Sequence, residues 1–412
     1  MQKRVLMLGA SCFFTDAYQY AKDNNIYTVA VDQRDEKFAI CKKIADVSYS
    51  ASTRDMEALL LIAEKEQING IYAGASETNM PTAIQLAKEL DIPFYCDQEQ
   101  WAIGTNKRLF KEMCIRHKVP VTKFYEVTGE NYVEKSFTID YPVVTKPVDN
   151  NGSTGITICN NQLEFLDGYQ KAVSNSRTRD ALVEDYMPYD SVIIHYTMIN
   201  GKGFFCGISD KKSRKIQDNG APVMALQFFP SQGQQQYIDS LNQQVIEMFE
   251  AEGFKNGPIW IEAFYDGRNF VFNEMGYRFG GSMTYHAVKY LTGVDQIGLL
   301  MDQKTDNVEK YYHWPQGEKT YCIVPIHIRS GFISEIHGYD EVEKMDAVHA
   351  VSLCHVKGDR IDATGTVSQV FCYLHLLLHN REDVNELVEE VLNKISVLND
   401  RKENLLFSAG RY

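Results

Sequence analysis

The chain has 412 residues, too many for one small core, so two or three packed subdomains are expected. Hydrophobic residues make up 44% and charged residues 24%, the balance of an ordinary globular chain, which excludes disorder along most of its length. The 55 Asp and Glu against 42 Lys and Arg exclude the basic surplus of a general nucleic-acid binder, while a local site for a small phosphate stays open. Nine cysteines form no C-x-x-C pair and no regular spacing, so they read as reduced, mostly buried thiols rather than a disulfide framework or zinc knuckle. The start, Met1 to Leu8, has four apolar residues before Gly9, short of the roughly 7–15 of a secretory signal. No stretch approaches the roughly 20 apolar residues that cross a bilayer. A cytoplasmic location with no membrane partner is therefore expected.

In chain order, residues 5–8 read as a buried strand ending at Gly9-Ala10-Ser11, 15–24 as a helix and 27–32 as a second strand. Residues 56–66 carry apolar side chains at helical spacing, 70–74 a strand, 81–90 a helix and 93–96 a short strand. Strands alternating with helices predict a Rossmann-like parallel sheet. A lysine-bearing helix follows at 106–117, and after Pro120 the pattern turns to hairpins. Strands are expected at 141–146 and 155–159, flanking a polar glycine loop, and at 192–200 and 203–209. A long amphipathic helix at 235–252 precedes strands at 258–264 and 270–275, and a last helix is expected near 383–398. Neither an internal repeat nor a low-complexity segment is present, apart from a Gln-rich patch at 232–236.

Gly9 followed by Asp32 is reminiscent of a dinucleotide site, where glycines admit a pyrophosphate and the acid holds a ribose. Ser11 and Phe14 occupy the second and third glycine positions, so the turn reads as structural. The loop Asp149 to Gly155, with Lys146 before it, can offer backbone N–H groups and one point charge to phosphates. The lysine precedes the glycines, unlike a Walker loop.

The most informative pair is Glu262 and Glu274, on successive strands joined by Asp266-Gly267. With 265–269 as the loop, 262 faces 272 and Glu274 lies two positions further on. A 262–274 pairing instead brings their Cβ atoms to roughly 5 Å. Either even-sum register puts both carboxylates on one face, and a one-residue slip separates them. Two acids amid Trp, Phe and Ile repel unless a cation lies between, which points to a magnesium–nucleotide site. Arg278 adds a permanent cation where a transferring phosphoryl group gathers charge. His375 and His379 sit in an apolar run without the Glu of a zinc-protease motif, so core packing is expected.

Taken in order, these segments resemble the ATP-grasp superfamily, with the carboxylate–amine ligases nearest and L-amino-acid ligases and the carbamoyl-phosphate synthetase large chain further out. The resemblance rests on Gly74-Ala75-Ser76-Glu77, Asn106-Lys107, Val119-Pro120-Val121, Lys146 with its glycine loop, Glu262, Glu274 and Arg278, and covers essentially the whole chain. It implies an α/β and α+β architecture. A Rossmann-like preATP-grasp domain would occupy 1–105, a lid with its linker helix 106–188, a central antiparallel subdomain 189–318 and a small C-terminal α+β subdomain 319–412.

By the same resemblance, Lys107 and Lys146 would contact ATP phosphates, and the loop Asn151, Gly152, Ser153, Thr154 and Gly155 would close over them. Glu184, Asp185, Tyr186 and Met187 would form the adenine hinge, with Asp190 on the ribose. Glu262 and Glu274 would hold Mg²⁺, with Mn²⁺ as an alternative, and Arg278 with Lys146 would be catalytic. Arg278, Ser282 and His286 are the candidate substrate contacts. One departure stands out: the family's E-x-N-x-R pattern has Gly276 in place of its Asn, and Asn273, as a strand neighbour, is expected to point the other way.

The implied activity is ATP-dependent ligation of small molecules. A carboxylate becomes an acyl-phosphate that an amine, or less readily a thiol, attacks. The competing readings are an NAD(P)-dependent oxidoreductase built on the first domain and a non-catalytic nucleotide-binding regulator. A homodimer is the commonest assembly for a chain of this kind.

Overall fold

The computed structural model describes residues 2–150, 152, 154–215, 222–302 and 319–407. Four parallel strands, Arg4–Leu8, Tyr27–Val31, Val47–Tyr49 and Gly70–Tyr72, form the first sheet, in the spatial order third, second, first, fourth. Val5 to Leu8 are fully buried, as expected of a strand covered by helices on both faces. Helix Thr15–Asp23 connects the first two strands, Met56–Lys65 connects the third to the fourth, and Met80–Glu89 follows the fourth. The strand order reverses between the first and fourth strands, which leaves a crevice outside their carboxyl ends at Gly9 and Gly74. Gly9 has φ +133°, and a Cβ there would lie 2.7 Å from the Phe14 ring, so this turn requires glycine for packing.

Residues 93–96 do not form the expected strand. Pro93 has no N–H for a ladder, and Tyr95 is instead buried against Tyr277, with ring centroids 5.3 Å apart and its hydroxyl donating to the Tyr277 carbonyl at 3.2 Å. The strand at Val47–Tyr49 was missed because Val47 and Tyr49 are only half-buried, Ser48 is exposed, and the three carry no apolar run.

A second, four-stranded antiparallel sheet runs Phe124–Tyr125, Ala181–Asp185, Val143–Pro147, Thr157–Cys159. Helix Gln162–Ser174 packs on it through Phe165, Tyr169 and Ala172, giving this lid a core of its own.

The third sheet has eight antiparallel strands in the order Phe270–Gly276, Gly257–Tyr265, Ser191–Ile199, Lys202–Arg214, Val223–Phe229, Thr320–His327, Val370–Leu378, Val348–Leu353. The chain after residue 319 thus extends the central sheet. Its His375 lies on a strand, fully buried, with Nδ1 3.0 Å from the Tyr321 hydroxyl, and His379 is exposed just beyond it. The long helix expected at 235–252 is Gln234–Tyr237 and Gln243–Ala251, joined by a π turn at Ile238–Asn242. The last helix stops at Lys394, and Ser396–Leu398 is a strand. One apolar cluster unites the parallel sheet with the near half of the central sheet, whereas the C-terminal strands pack in another. All nine cysteines are buried and free. Among the described residues no helix is long and apolar enough to cross a membrane.

The hairpin that carries the two glutamates has the 262–274 pairing, not the 262–272 pairing, and reaches it from a different register at the turn. Tyr265 pairs with Phe270 and Ala263 with Phe272, an odd-sum register that would put the acids on opposite faces. Asn273 is then an extra residue, a β-bulge, after which Glu262 pairs with Glu274 and Trp260 with Gly276. The bulge restores the even-sum register where the carboxylates need it. At Gly276 a Cβ would lie 2.4 Å from the Trp260 indole, so the indole occupies the space of any side chain there. Gly276→Asn is therefore expected to lower stability by about 1–3 kcal/mol through overpacking. Urea unfolding of that variant, of Trp260→Gly and of the double variant should show the two changes coupled, with the double less destabilised than the sum.

Candidate active site

The bulge turns Asn273 toward the lid together with Glu274. Lys146, on the lid strand Val143–Pro147, donates to Asn273 Oδ1 at 2.6 Å and is ion-paired to Glu184. Lys107 opens the helix Lys107–Arg116, whose first turn is capped by the Asn106 side chain accepting from Arg108 N and Leu109 N. Its ammonium lies 3.1 Å from Glu274 Oε2 and donates to the Asn150 carbonyl at 2.7 Å, joining helix, hairpin and glycine loop. Lys211, on Lys202–Arg214, lies 2.9 Å from Glu262 Oε2. Arg278 is clamped by Glu77, with Nε 3.1 Å from Oε1, and its guanidinium sits 5.4 Å from the Trp260 ring centroid.

Lys107, Lys146, Lys211, Glu262, Glu274 and Arg278 all line one cleft of about 600 Å³. Gly152 and Thr154 of the glycine loop and Ser282 also line it, and Ser282 donates to Gln227 Oε1 at 3.2 Å. Asn151 and Ser153 lie outside the described residues. Gly155 turns with φ +79° behind the loop, beside Pro147 and Asn175.

Other expected site residues are placed elsewhere. Glu184 is 2% exposed, enclosed behind Lys146 instead of lining the cleft. Asp185 accepts from the Tyr125 hydroxyl at 2.8 Å, while Tyr186 is exposed and Met187 half-buried at the end of the lid strand. Asp190 is exposed and ion-paired to Lys212. His286 does not reach the cleft. Its Nε2 is 3.0 Å from Asp16, and its ring is 4.8 Å from that of His375. Asp32, the acid of the dinucleotide reading, accepts from Ala10 N at 3.1 Å and from Arg34 Nη2 at 2.6 Å, so it does not present a free carboxylate to a ribose.

Two lysines escaped the sequence reading. Lys111 is fully buried one helical turn after Lys107, 3.1 Å from Glu184 Oε2 and donating to the Phe272 carbonyl at 3.2 Å. The i,i+4 spacing from Lys107 was the available signal. Lys211 was missed because the strand runs five residues past the expected end at 209.

Burial alone would raise the Glu274 carboxyl, but the Lys107 and Lys146 charges outweigh it and hold the group down at about 2. Glu184 is likewise held low against burial by Lys111 and Lys146. Burial prevails at Lys111, lowering its ammonium to about 8 despite Glu184. His195, on the cleft floor, is pushed down by burial to about 3, so its imidazole is neutral. The oxygen donors converging here are two carboxylates and one amide, a set suited to a hard divalent cation that keeps water or phosphate oxygens as its remaining ligands. Among the described residues no cluster of three His, Cys, Asp or Glu could hold a metal alone.

The depressed Glu274 carboxyl makes a signed prediction. Between its folded value near 2 and the ordinary carboxylate range the unfolded chain binds more protons, so stability present above about pH 4.5 is lost as pH falls toward 2. The slope of unfolding free energy against pH in that window should be shallower in Glu274→Gln than in the parent chain.

Residues 139–286 match a family model described as an ATP-grasp domain. Dapdiamide A synthase of Enterobacter agglomerans is 23% identical over 275 residues, 65% of this chain and 63% of that protein, so the chain spans less than two thirds of this relative's length. The L-amino acid ligase of Bacillus licheniformis superposes with a TM-score of 0.77 at 16% identity, covering 97% of this chain and 99% of that one. The biotin carboxylase domain dimer of Hydrogenobacter thermophilus 2-oxoglutarate carboxylase, in complex with MgADP, ADP and bicarbonate, gives 0.80 at 18% identity, over 96% and 91%. The chain has the ATP-grasp fold.

Proposed function

We propose that the protein is an ATP-dependent ligase joining a carboxylate to an amine, with a thiol as the less favoured nucleophile. The observation that carries this reading is the facing pair Glu262 and Glu274 inside a ring formed by Lys107, Lys146, Lys211 and Arg278. Carboxylates hold a cation and ammonium groups hold phosphates, so this arrangement suits a polyanion bound together with its metal. Glu262 and Glu274 would hold Mg²⁺, or Mn²⁺ in its place, which when bound neutralises charge on the phosphates. Lys107 and Lys146 would grip the phosphates, residues 151–155 would cover them, and the segment 184–187 with Asp190 would lie toward the base and ribose.

In the first step a carboxylate oxygen attacks the γ-phosphorus, the β–γ bridging P–O bond breaks, and ADP leaves. In the second the amine attacks the acyl carbon, inorganic phosphate departs and the amine loses a proton. Arg278, held by Glu77, stabilises the charge on the acyl-phosphate oxygens. Lid closure keeps water from that mixed anhydride. The divisions 1–105, 106–188, 189–318 and 319–412 belong to the same reading. The regulator alternative rested on Gly276, and the Asn273 amide beside Glu274 weakens it.

Mg·ATP and Mg·ADP at about 100 times Kd should add roughly 2.7 kcal/mol and raise the unfolding temperature by a few degrees, whereas NADH and NADPH should leave it unchanged. A shift with NADH alone would overturn the assignment. In screens of pooled carboxylates and amines, Glu274→Gln should reduce ADP release by at least about 100-fold with the fold retained by circular dichroism. Retained turnover would remove the metal role of Glu274.

A further inference from the structure

A second cavity, of about 470 Å³, occupies the crevice at the carboxyl ends of the parallel strands. Its size is that of a small-molecule site. Ala75, Ser76, Thr78 and Gly281 line both this crevice and the 600 Å³ cleft, so the two are continuous around the segment that carries Glu77.

One wall is a run of aromatic rings. Phe14 meets Tyr72 at 6.0 Å, Tyr72 meets Phe279 at 6.5 Å, and Phe279 meets Tyr285 at 5.2 Å, all between centroids. The rim is polar and cationic. Its charged side chains are Asp32, Arg34 and Arg54. Asp32 is spent on Arg34, which it fixes through Nε at 3.0 Å and Nη2 at 2.6 Å, leaving further guanidinium N–H groups directed elsewhere. Among the described residues no acid pairs with Arg54, whose only hydrogen bond is from its backbone N to Ser52 Oγ at 3.3 Å. In a chain of net charge −13, the same crevice thus presents an aromatic wall and an exposed guanidinium with no acid paired to it among the described residues. These two features suit an anion attached to a flat apolar group.

We propose that this crevice binds the end of one substrate remote from the reacting atoms, and that this end is an aromatic or similarly flat apolar group bearing a carboxylate or phosphate, recognised by Arg54 with Arg34. The assignment to a substrate rests on the ligase reading, whereas binding at the crevice does not.

Ligand-observed NMR titration of the full chain with 3-phenylpropanoate, phenyl phosphate and the neutral 3-phenylpropan-1-ol tests it. At least one anion should bind more tightly than the alcohol, and the better of the two identifies the anionic group. Its Kd should rise at least about tenfold in Arg54→Ala. Arg54 is exposed, so its loss leaves the core intact. Lys37→Ala, an exposed lysine outside the crevice, should leave Kd unchanged. Failure of both anions to bind, equal binding of the alcohol, indifference to Arg54→Ala, or an equal loss in Lys37→Ala would each overturn the proposal. Glu262→Gln separates the two readings, because it should abolish the Mg·ATP shift and leave the Kd of the probe unchanged.

Discussion

Three ionised side chains, Glu184, Lys111 and Lys146, are buried to 3% exposure or less where lid, linking helix and hairpin meet. Taking such groups out of water costs several kcal/mol each, and mutual attraction offsets that cost only when the geometry is good and the remaining donors are satisfied. Glu184 comes from one lid strand and Lys146 from its neighbour, Lys111 from the helix, and the Phe272 carbonyl and Asn273 amide from the hairpin. Displacing any one element would strand a charge. The junction therefore fixes the lysine ammonium groups relative to the hairpin, and the rest of the cleft is organised from there. In the cleft itself Lys107, Lys146, Lys211 and Arg278 face Glu77, Glu262 and Glu274, which leaves it slightly cationic in an acidic protein.

This junction also bears on motion. The lid has its own apolar cluster, built on Phe165, Tyr169 and Val183, whereas the parallel sheet and the near half of the central sheet share another. Backbone bonds tie the lid to the rest at few places, among them Thr122 N to the Phe272 carbonyl and Lys107 N to the Val148 carbonyl. The lid sheet thus holds together by its own core, and it is joined to the rest by those hydrogen bonds and by the buried charge pairs. Under the proposed function, the ammonium groups that anchor it would also be the ones a polyanionic ligand engages, which would couple ligand binding to its position.

Much of this was legible in the sequence. The first parallel sheet followed from short apolar runs alternating with helical periods, and Glu262 and Glu274 stood out as two carboxylates in otherwise apolar strands. What escaped notice depended on long-range geometry. Lys111 looks like any helix lysine until Glu184, 73 positions later, is brought beside it. The segment 93–96 has strand composition, but Pro93 lacks a ladder N–H and Tyr95 packs its ring against Tyr277, which lies far along the chain. Asp190 and His286 sit at plausible spacings, yet the fold pairs them with Lys212 and Asp16. Spacing determines which residues can share a strand or a helix face, and it does not determine which partner claims each side chain.

The bulge illustrates how several departures can form one unit. Without the extra residue, the odd-sum register of the hairpin turn would send Glu274 to the face opposite Glu262. With it, Glu274 faces Glu262 and Asn273 lines the same cleft, its amide oxygen accepting from Lys146. The glycine at 276 in turn admits the Trp260 indole, which lies against the backbone and gives Arg278 a ring to rest on, opposite the Glu77 carboxylate. Replacing any one of Asn273, Gly276 or Trp260 alone would misplace another. Asn273, Gly276 and Trp260 thus form one unit, in which an amide and an indole on the cleft side go together with a residue that has no side chain.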